Sequence, residues 1–137
     1  MLTLNIPNEI YEQILQQAET ETPLEACGIL AGQNGQVRRF YPMTNADQSN
    51  NHYMMVPKEQ FEVAKDIRAS GLKMLAIYHS HPETPARPSE EDLRLALTPG
   101  VIHVIVSLQN IEPVIKGFVI EDGNIREVSV RIEVESK

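Results

Sequence analysis

His79 and His81 stand two residues apart at the end of a largely apolar segment, Leu72 to Tyr78. Side chains at i and i+2 of a strand point to one face, so both imidazoles can reach one point. Asp92 follows His81 by eleven residues, in the first turns of an expected helix. Two imidazoles and a carboxylate form a common catalytic zinc shell, with a fourth position left open for water. Such a centre suits hydrolysis. Amide hydrolysis also needs a base that takes a proton from water and passes it to the leaving nitrogen. Glu83, Glu90, Glu91 and Asp92 crowd the loop and helix, and Glu25 stands at the start of the first apolar strand. Spacing alone does not choose among them. Ser89, three residues before Asp92, has a hydroxyl that could donate to an oxyanion.

Plainer roles exist for each of these residues. Ser89-Glu90-Glu91-Asp92 is a good helix start, with Ser as the N-cap and acids in the first turn. A lone His-x-His is common, and Glu25 alone could be a surface acid. Cys27 has no basic neighbour and reads as a small buried hydrophobe. His103, inside VIHVIVS, reads as a hydrogen-bonded core histidine, and His52, in a polar loop, as a solvated one. The chain has no His-Glu-x-x-His, no Pro-Cys-x-x-Cys, no Walker loop and no Gly-x-Ser-x-Gly turn.

The elements that must position these groups follow from periodicity. Leu2, Leu4 and Ile6 alternate as in a half-buried strand. Pro7 suits the first turn of a helix whose inner face is Ile10, Ile14, Leu15 and Ala18. Cys27 to Ala31 and Val37 to Tyr41 are strands joined at Asn34-Gly35, a strong hairpin signal. A polar loop, TNADQSNNH, precedes a second helix that opens at Pro57 and closes at Gly71, with Phe61, Ala64 and Ile67 inward. Leu72 to Tyr78 is a central strand, and the loop after it is stiffened by Pro82, Pro85 and Pro88. A third helix runs from about Ser89 to Leu97. Val101 to Leu108 is another buried strand, and 114–120 and 125–134 form a hairpin around Asp122-Gly123. This order predicts an α/β fold, a three-layer sandwich around a mixed sheet.

The 137 residues fit one compact domain, 1–137. Apolar residues at 42% and charged residues at 23% are ordinary for a soluble globular chain. No apolar run approaches the roughly 18 to 20 residues of a membrane span, and the N-terminus lacks the pattern of a secretory signal. A single cysteine suits a reducing, cytoplasmic setting. A net charge of −7 without clustered Lys or Arg argues against nucleic acid as a partner.

Taken together, the residues resemble the JAMM, or MPN-plus, metallopeptidases. The family signature is His-x-His, seven residues, Ser, two residues, Asp. Here it reads His79-Ser80-His81, PETPARP, Ser89, Glu90-Glu91, Asp92, without departure. Pro23 to Gly32, PLEACGILAG, resembles the family's upstream Glu and the strand after it, and MLAIYHSHP and HYMMVPKEQF fit as well. The resemblance implies one zinc ion held by His79, His81 and Asp92. It makes Glu25 the general base and proton shuttle, and Ser89 an oxyanion donor. It also implies a cytidine deaminase-like fold. The chain looks like the compact prokaryotic branch, without the insertions or appended domains of eukaryotic members. The implied activity is hydrolysis of the amide bond after the C-terminal Gly-Gly of a ubiquitin-like or sulfur-carrier protein, whose extended tail could pair with a sheet edge. Two other functions fit the fold: a binding module for a ubiquitin-like partner, and a zinc amidase on a small amino-acid adduct.

Overall fold

A computed structural model describes residues 3–90, 92 and 100–134. The elements are β1 (Thr3–Pro7), α1 (Asn8–Glu21), β2 (Cys27–Gln33), β3 (Gln36–Met43), α2 (Pro57–Ala69), β4 (Lys73–His81), β5 (Ile102–Ser107), β6 (Val114–Glu121) and β7 (Asn124–Glu133). The third helix expected from Ser89 to Leu97 lies largely outside the described residues, although Glu90 and Asp92 are helical.

The sheet is mixed, in the order β1-β3-β2-β4-β5-β6-β7. β1 runs parallel to both β3 and β7 and joins the two ends of the sheet. β4 and β5 are parallel, and the remaining pairs are antiparallel. β4, which carries the histidines, is therefore paired on both sides. No end strand is left beside them among the described residues, so the expected pairing of a substrate tail with a free sheet edge has no place on β4.

Both hairpins form where the sequence placed them. Asn34 and Gly35 have φ of 52° and 76°, and Asp122 and Gly123 have 51° and 77°. Positive φ at both central residues is the primed turn that matches strand twist. Gly71, with φ of 72°, closes α2. Its N–H bonds the Arg68 carbonyl and the Leu72 N–H bonds that of Ile67, which satisfies two carbonyls at the helix end. Pro57 opens α2 as expected, but Pro7 ends β1 and sits one residue before α1.

The two faces of the sheet are covered separately. On one face Ile14 of α1 packs with Leu4, Ile6, Leu30, Val37, Ala76, Tyr78, Val104 and Val106. On the other, Ile67 of α2 packs with Cys27, Ile29, Ala31, Met43 and Met55, and beyond them Ala86, Ile105, Phe118 and Ile120 form a separate cluster. The inner face of α2 is not the expected one. Ile67 is inward, but Val63 is its neighbour there, while Phe61 is 63% exposed and Ala64 also faces out. Val63 and Ile67 keep helical spacing as well as 61, 64 and 67 do, and docking against Ile29 and Ile77 selects that pair. No helix among the described residues is long and apolar enough to cross a membrane.

Leu30 is fully buried, so Leu30→Ala is expected to cost about 2–5 kcal/mol in urea denaturation. Phe61→Ala is expected to stay within about 0.5 kcal/mol. A large loss at Phe61 would restore the first assignment of the helix face.

Candidate metal centre

The register between β2 and β4 sets the site. Cys27 lies opposite His79, Gly28 opposite Tyr78 and Ile29 opposite Ile77. The same register places Glu25, two residues before β2 begins, beside His81. Alternation puts Ile77, His79 and His81 on one face, with Cys27 and Ile29 across from them. Ser80 points the other way and ties the strands together. Its hydroxyl accepts the Ala26 N–H at 2.8 Å, and its own N–H donates to the Ala26 carbonyl at 2.9 Å.

Three donors converge at the end of β4. His79 Nε2 lies 3.2 Å from His81 Nε2. Asp92 places Oδ1 3.2 Å from His79 Nε2 and Oδ2 3.0 Å from His81 Nε2. All three residues are buried. His81 Nδ1 lies 2.8 Å from the Pro85 carbonyl. A carbonyl only accepts, so Nδ1 carries a hydrogen and Nε2 is the nitrogen left to bind. A bare Nε2 lone pair would then face two carboxylate oxygens and a second imidazole, which only a proton or a metal cation can reconcile.

The loop between His81 and Asp92 is pinned at several points. Ala86 is buried against Ile105, Phe118 and Ile120. The Ser107 hydroxyl donates to the Thr84 carbonyl and accepts the Gln109 N–H. Ser89 caps the helix start, its hydroxyl accepting the Asp92 N–H at 3.1 Å. Asp92 Oδ2 in turn accepts the Ser89 N–H at 2.8 Å. This reciprocal pair is the plain helix-cap arrangement of that stretch, and it also aims the Asp92 carboxylate at the histidines. Glu90 and Glu83 form no part of the cluster of ligand atoms, which holds His79, His81 and Asp92 among the described residues.

Burial and charge act on each group in turn. Burial lowers His79, against the pull of the Asp92 carboxylate. Burial also draws His81 down, but hydrogen bonds to Asp92 and Pro85 outweigh it, and His81 is raised overall. Burial would raise Asp92, yet hydrogen bonds from His79, His81 and the Ser89 N–H hold it well below the usual carboxylate range. Glu25 is 2% exposed, and its Oε1 has no hydrogen-bond partner among the described residues. Burial pushes Glu25 up to about 8, with His81 opposing and Asp92 adding.

The sequence model of prokaryotic homologs of the JAB domain matches residues 7–118. This chain belongs to that family. It is 34% identical over 132 residues to the CysO-cysteine peptidase of Mycobacterium tuberculosis, covering 94% of this chain and 90% of the relative. It is 30% identical over 109 residues to a desampylase of Haloferax volcanii, covering 77% and 78%. The solution structure of a Desulfitobacterium hafniense protein superposes with a TM-score of 0.87 at 41% identity, covering 98% of this chain and 94% of that one.

Other residues of this JAB-domain chain fall into place around the centre. Cys27 is fully buried, and burial, with Glu21, Glu59 and Glu25 nearby, pushes its thiol up to about 12. It is an inert hydrophobe, as expected. His103 is buried as expected, but its Nε2 has no hydrogen-bond partner among the described residues, and burial and His79 lower it. His52 is partly exposed and pairs with Asp47 at 3.1 Å. Pattern reading missed three residues. Ser80 is a small hydroxyl residue set between the two histidines of β4, a signal that could have been used. Tyr53 stacks on His79 with centroids 4.8 Å apart and planes at 26°. His79 Nδ1 has no hydrogen-bond partner among the described residues, so the stack and the Nε2 contact with Asp92 orient its ring. Asn45 is buried beneath the polar loop, where composition suggested only solvent.

A carboxyl raised above its ordinary 4.5 to about 8 holds more protons folded than unfolded across that window. Its contribution to stability is complete below 4.5 and is lost as pH rises toward 8. Metal-free protein is therefore expected to lose stability relative to Glu25→Gln over that rise, by on the order of a few kcal/mol. Parallel urea curves for the two proteins at several pH values would contradict this.

Proposed function

We propose that this chain is a peptidase with one zinc ion per chain, hydrolysing the amide bond after the C-terminal Gly-Gly of a ubiquitin-like or sulfur-carrier protein. The observation that carries the reading is the convergence of His79, His81 and Asp92 beside the buried, unpartnered Glu25. Zinc ligands lie about 2.0–2.1 Å from the metal, so tetrahedral neighbours stand about 3.3–3.4 Å apart. The donors here stand 3.0–3.2 Å apart, two nitrogens and a carboxylate, which suits that ion. The CysO-cysteine peptidase and desampylase names of the relatives support a protein-tail substrate.

When bound at His79, His81 and Asp92, zinc supplies Lewis acidity, polarising a carbonyl and making water a better nucleophile at neutral pH. The protein's own groups do the rest. Glu25 takes the proton of the attacking water on a carboxylate oxygen and returns it to the leaving nitrogen. Burial suits it to this exchange, because a carboxyl raised toward neutrality both accepts and releases a proton there. The Ser89 oxygen is occupied by the Asp92 N–H, but its hydroxyl hydrogen has no acceptor among the described residues and would donate to the developing oxyanion. The burial of His79, His81 and Asp92 favours a side-chain-free tail such as Gly-Gly over bulkier residues.

Glu25→Ala is expected to retain one zinc yet cut a Gly-Gly-linked fusion about 100- to 10,000-fold more slowly. Cleavage at the parent rate would refute the base assignment. The intact carrier fusion is expected to react faster than a free peptide with the same tail. Equal rates would favour an amidase acting on small adducts.

A further inference from the structure

The backbone of Glu25 lies outside the β2 ladder, and its partners come from the loop between β3 and α2. The Glu25 N–H donates to the Ser49 carbonyl at 2.7 Å. The Glu25 carbonyl accepts from Asn45 Nδ2 at 3.0 Å. Asn45 is 3% exposed, and its amide is fully used. Nδ2 also donates to the His52 carbonyl at 3.1 Å, while Oδ1 accepts the Asp47 N–H and the Met54 N–H, each at 3.1 Å. Two carbonyls on one side and two N–H groups on the other fix which end of the amide is nitrogen. His52 and Met54 flank Tyr53, whose ring stacks on His79. A single buried side chain thus ties the proposed base to the residue stacked on a proposed metal ligand.

We propose that Asn45 is a positioning residue that locks Glu25 and the Tyr53–His79 stack into one unit. The proposal rests on the reading of Glu25 as base. A few tenths of an ångström in a base or a ligand ring matter to catalysis, because the reacting atoms need near-attack geometry. Asn45→Ala removes four hydrogen bonds at once. Asn45→Asp keeps an oxygen for Asp47 and Met54 but sets a carboxylate oxygen against the Glu25 and His52 carbonyls.

Amide hydrogen exchange on the zinc-loaded protein tests the lock without any substrate. The amides of Glu25, Asp47 and Met54 are expected to open together, with one denaturant dependence. In Asn45→Ala they are expected to exchange at least about tenfold faster, Asp47 and Met54 because they lose their acceptor and Glu25 because the loop that carries its acceptor Ser49 is no longer held to the Glu25 carbonyl, while Val104 and Ile105 stay unchanged. Both variants are expected to lower kcat on a Gly-Gly-linked fusion by about 10- to 100-fold and leave KM within about twofold. Independent opening of Glu25 in the parent would overturn the proposal, and needs no variant to fold. Unchanged kcat in a folded Asn45→Ala protein would also overturn it, whatever its exchange rates, by reducing Asn45 to a loop brace. If Glu25→Ala remained active, the base assignment would fail while the exchange coupling could still hold.

Discussion

The antiparallel register of β2 on β4 is the constraint on which the centre depends. With Cys27 opposite His79, both histidines and Glu25 fall on the face covered by α2. A slip of one residue would turn the histidines into the apolar cluster under α1, where two imidazoles have no partners. Several contacts hold the register. Tyr78 and Ala76 alternate into the α1 core, and Ser80 bonds both polar backbone groups of Ala26. Gly28 is needed beside them, since a Cβ there would lie 2.7 Å from the Phe40 ring and 2.9 Å from the Tyr41 carbonyl. The residue between the two histidines is therefore as much a part of the site as they are, through the strand it fastens.

Within that frame the protein concentrates groups that oppose one another. A carboxylate held acidic by two imidazoles stands near another carboxyl that burial pushes up. Glu25 lacks a partner for Oε1, and His79 lacks one for Nδ1, among the described residues. Unmade bonds of this kind each cost on the order of 1–3 kcal/mol. They persist at a site whose surroundings are otherwise well fixed: Ala86 seated on the sheet, Pro85 holding His81, and the Ser89–Asp92 cap. Of the two, the Glu25 oxygen is the one that the proposed function puts to use, since it is left free to move a proton.

Much of this was legible in the chain. His79, His81, Ser89 and Asp92 are close in sequence, and a strand end followed by a proline-stiffened loop and a helix start leaves them few arrangements. The hairpins were legible because Asn-Gly and Asp-Gly have strong backbone preferences. Long-range choices were harder to read. Spacing could not single out Glu25, because only the β2–β4 register brings it to His81, and the family resemblance was needed to name it. The face of α2 was misread because two sets of positions share Ile67 and the same period. Asn45 looked like a solvated loop residue, and nothing local shows that its amide is buried under Glu25. Closure of the sheet by β1 was equally hidden, since parallel pairing leaves no turn signal.

The central claim is that His79, His81 and Asp92 form a zinc centre, and titration of metal-stripped protein with zinc at neutral pH tests it most directly. One tight site per chain is expected, weakened more than about a hundredfold in Asp92→Ala. No tight site in the parent, or the same affinity in the variant, would contradict the account and reduce the Ser89–Asp92 arrangement to a helix cap.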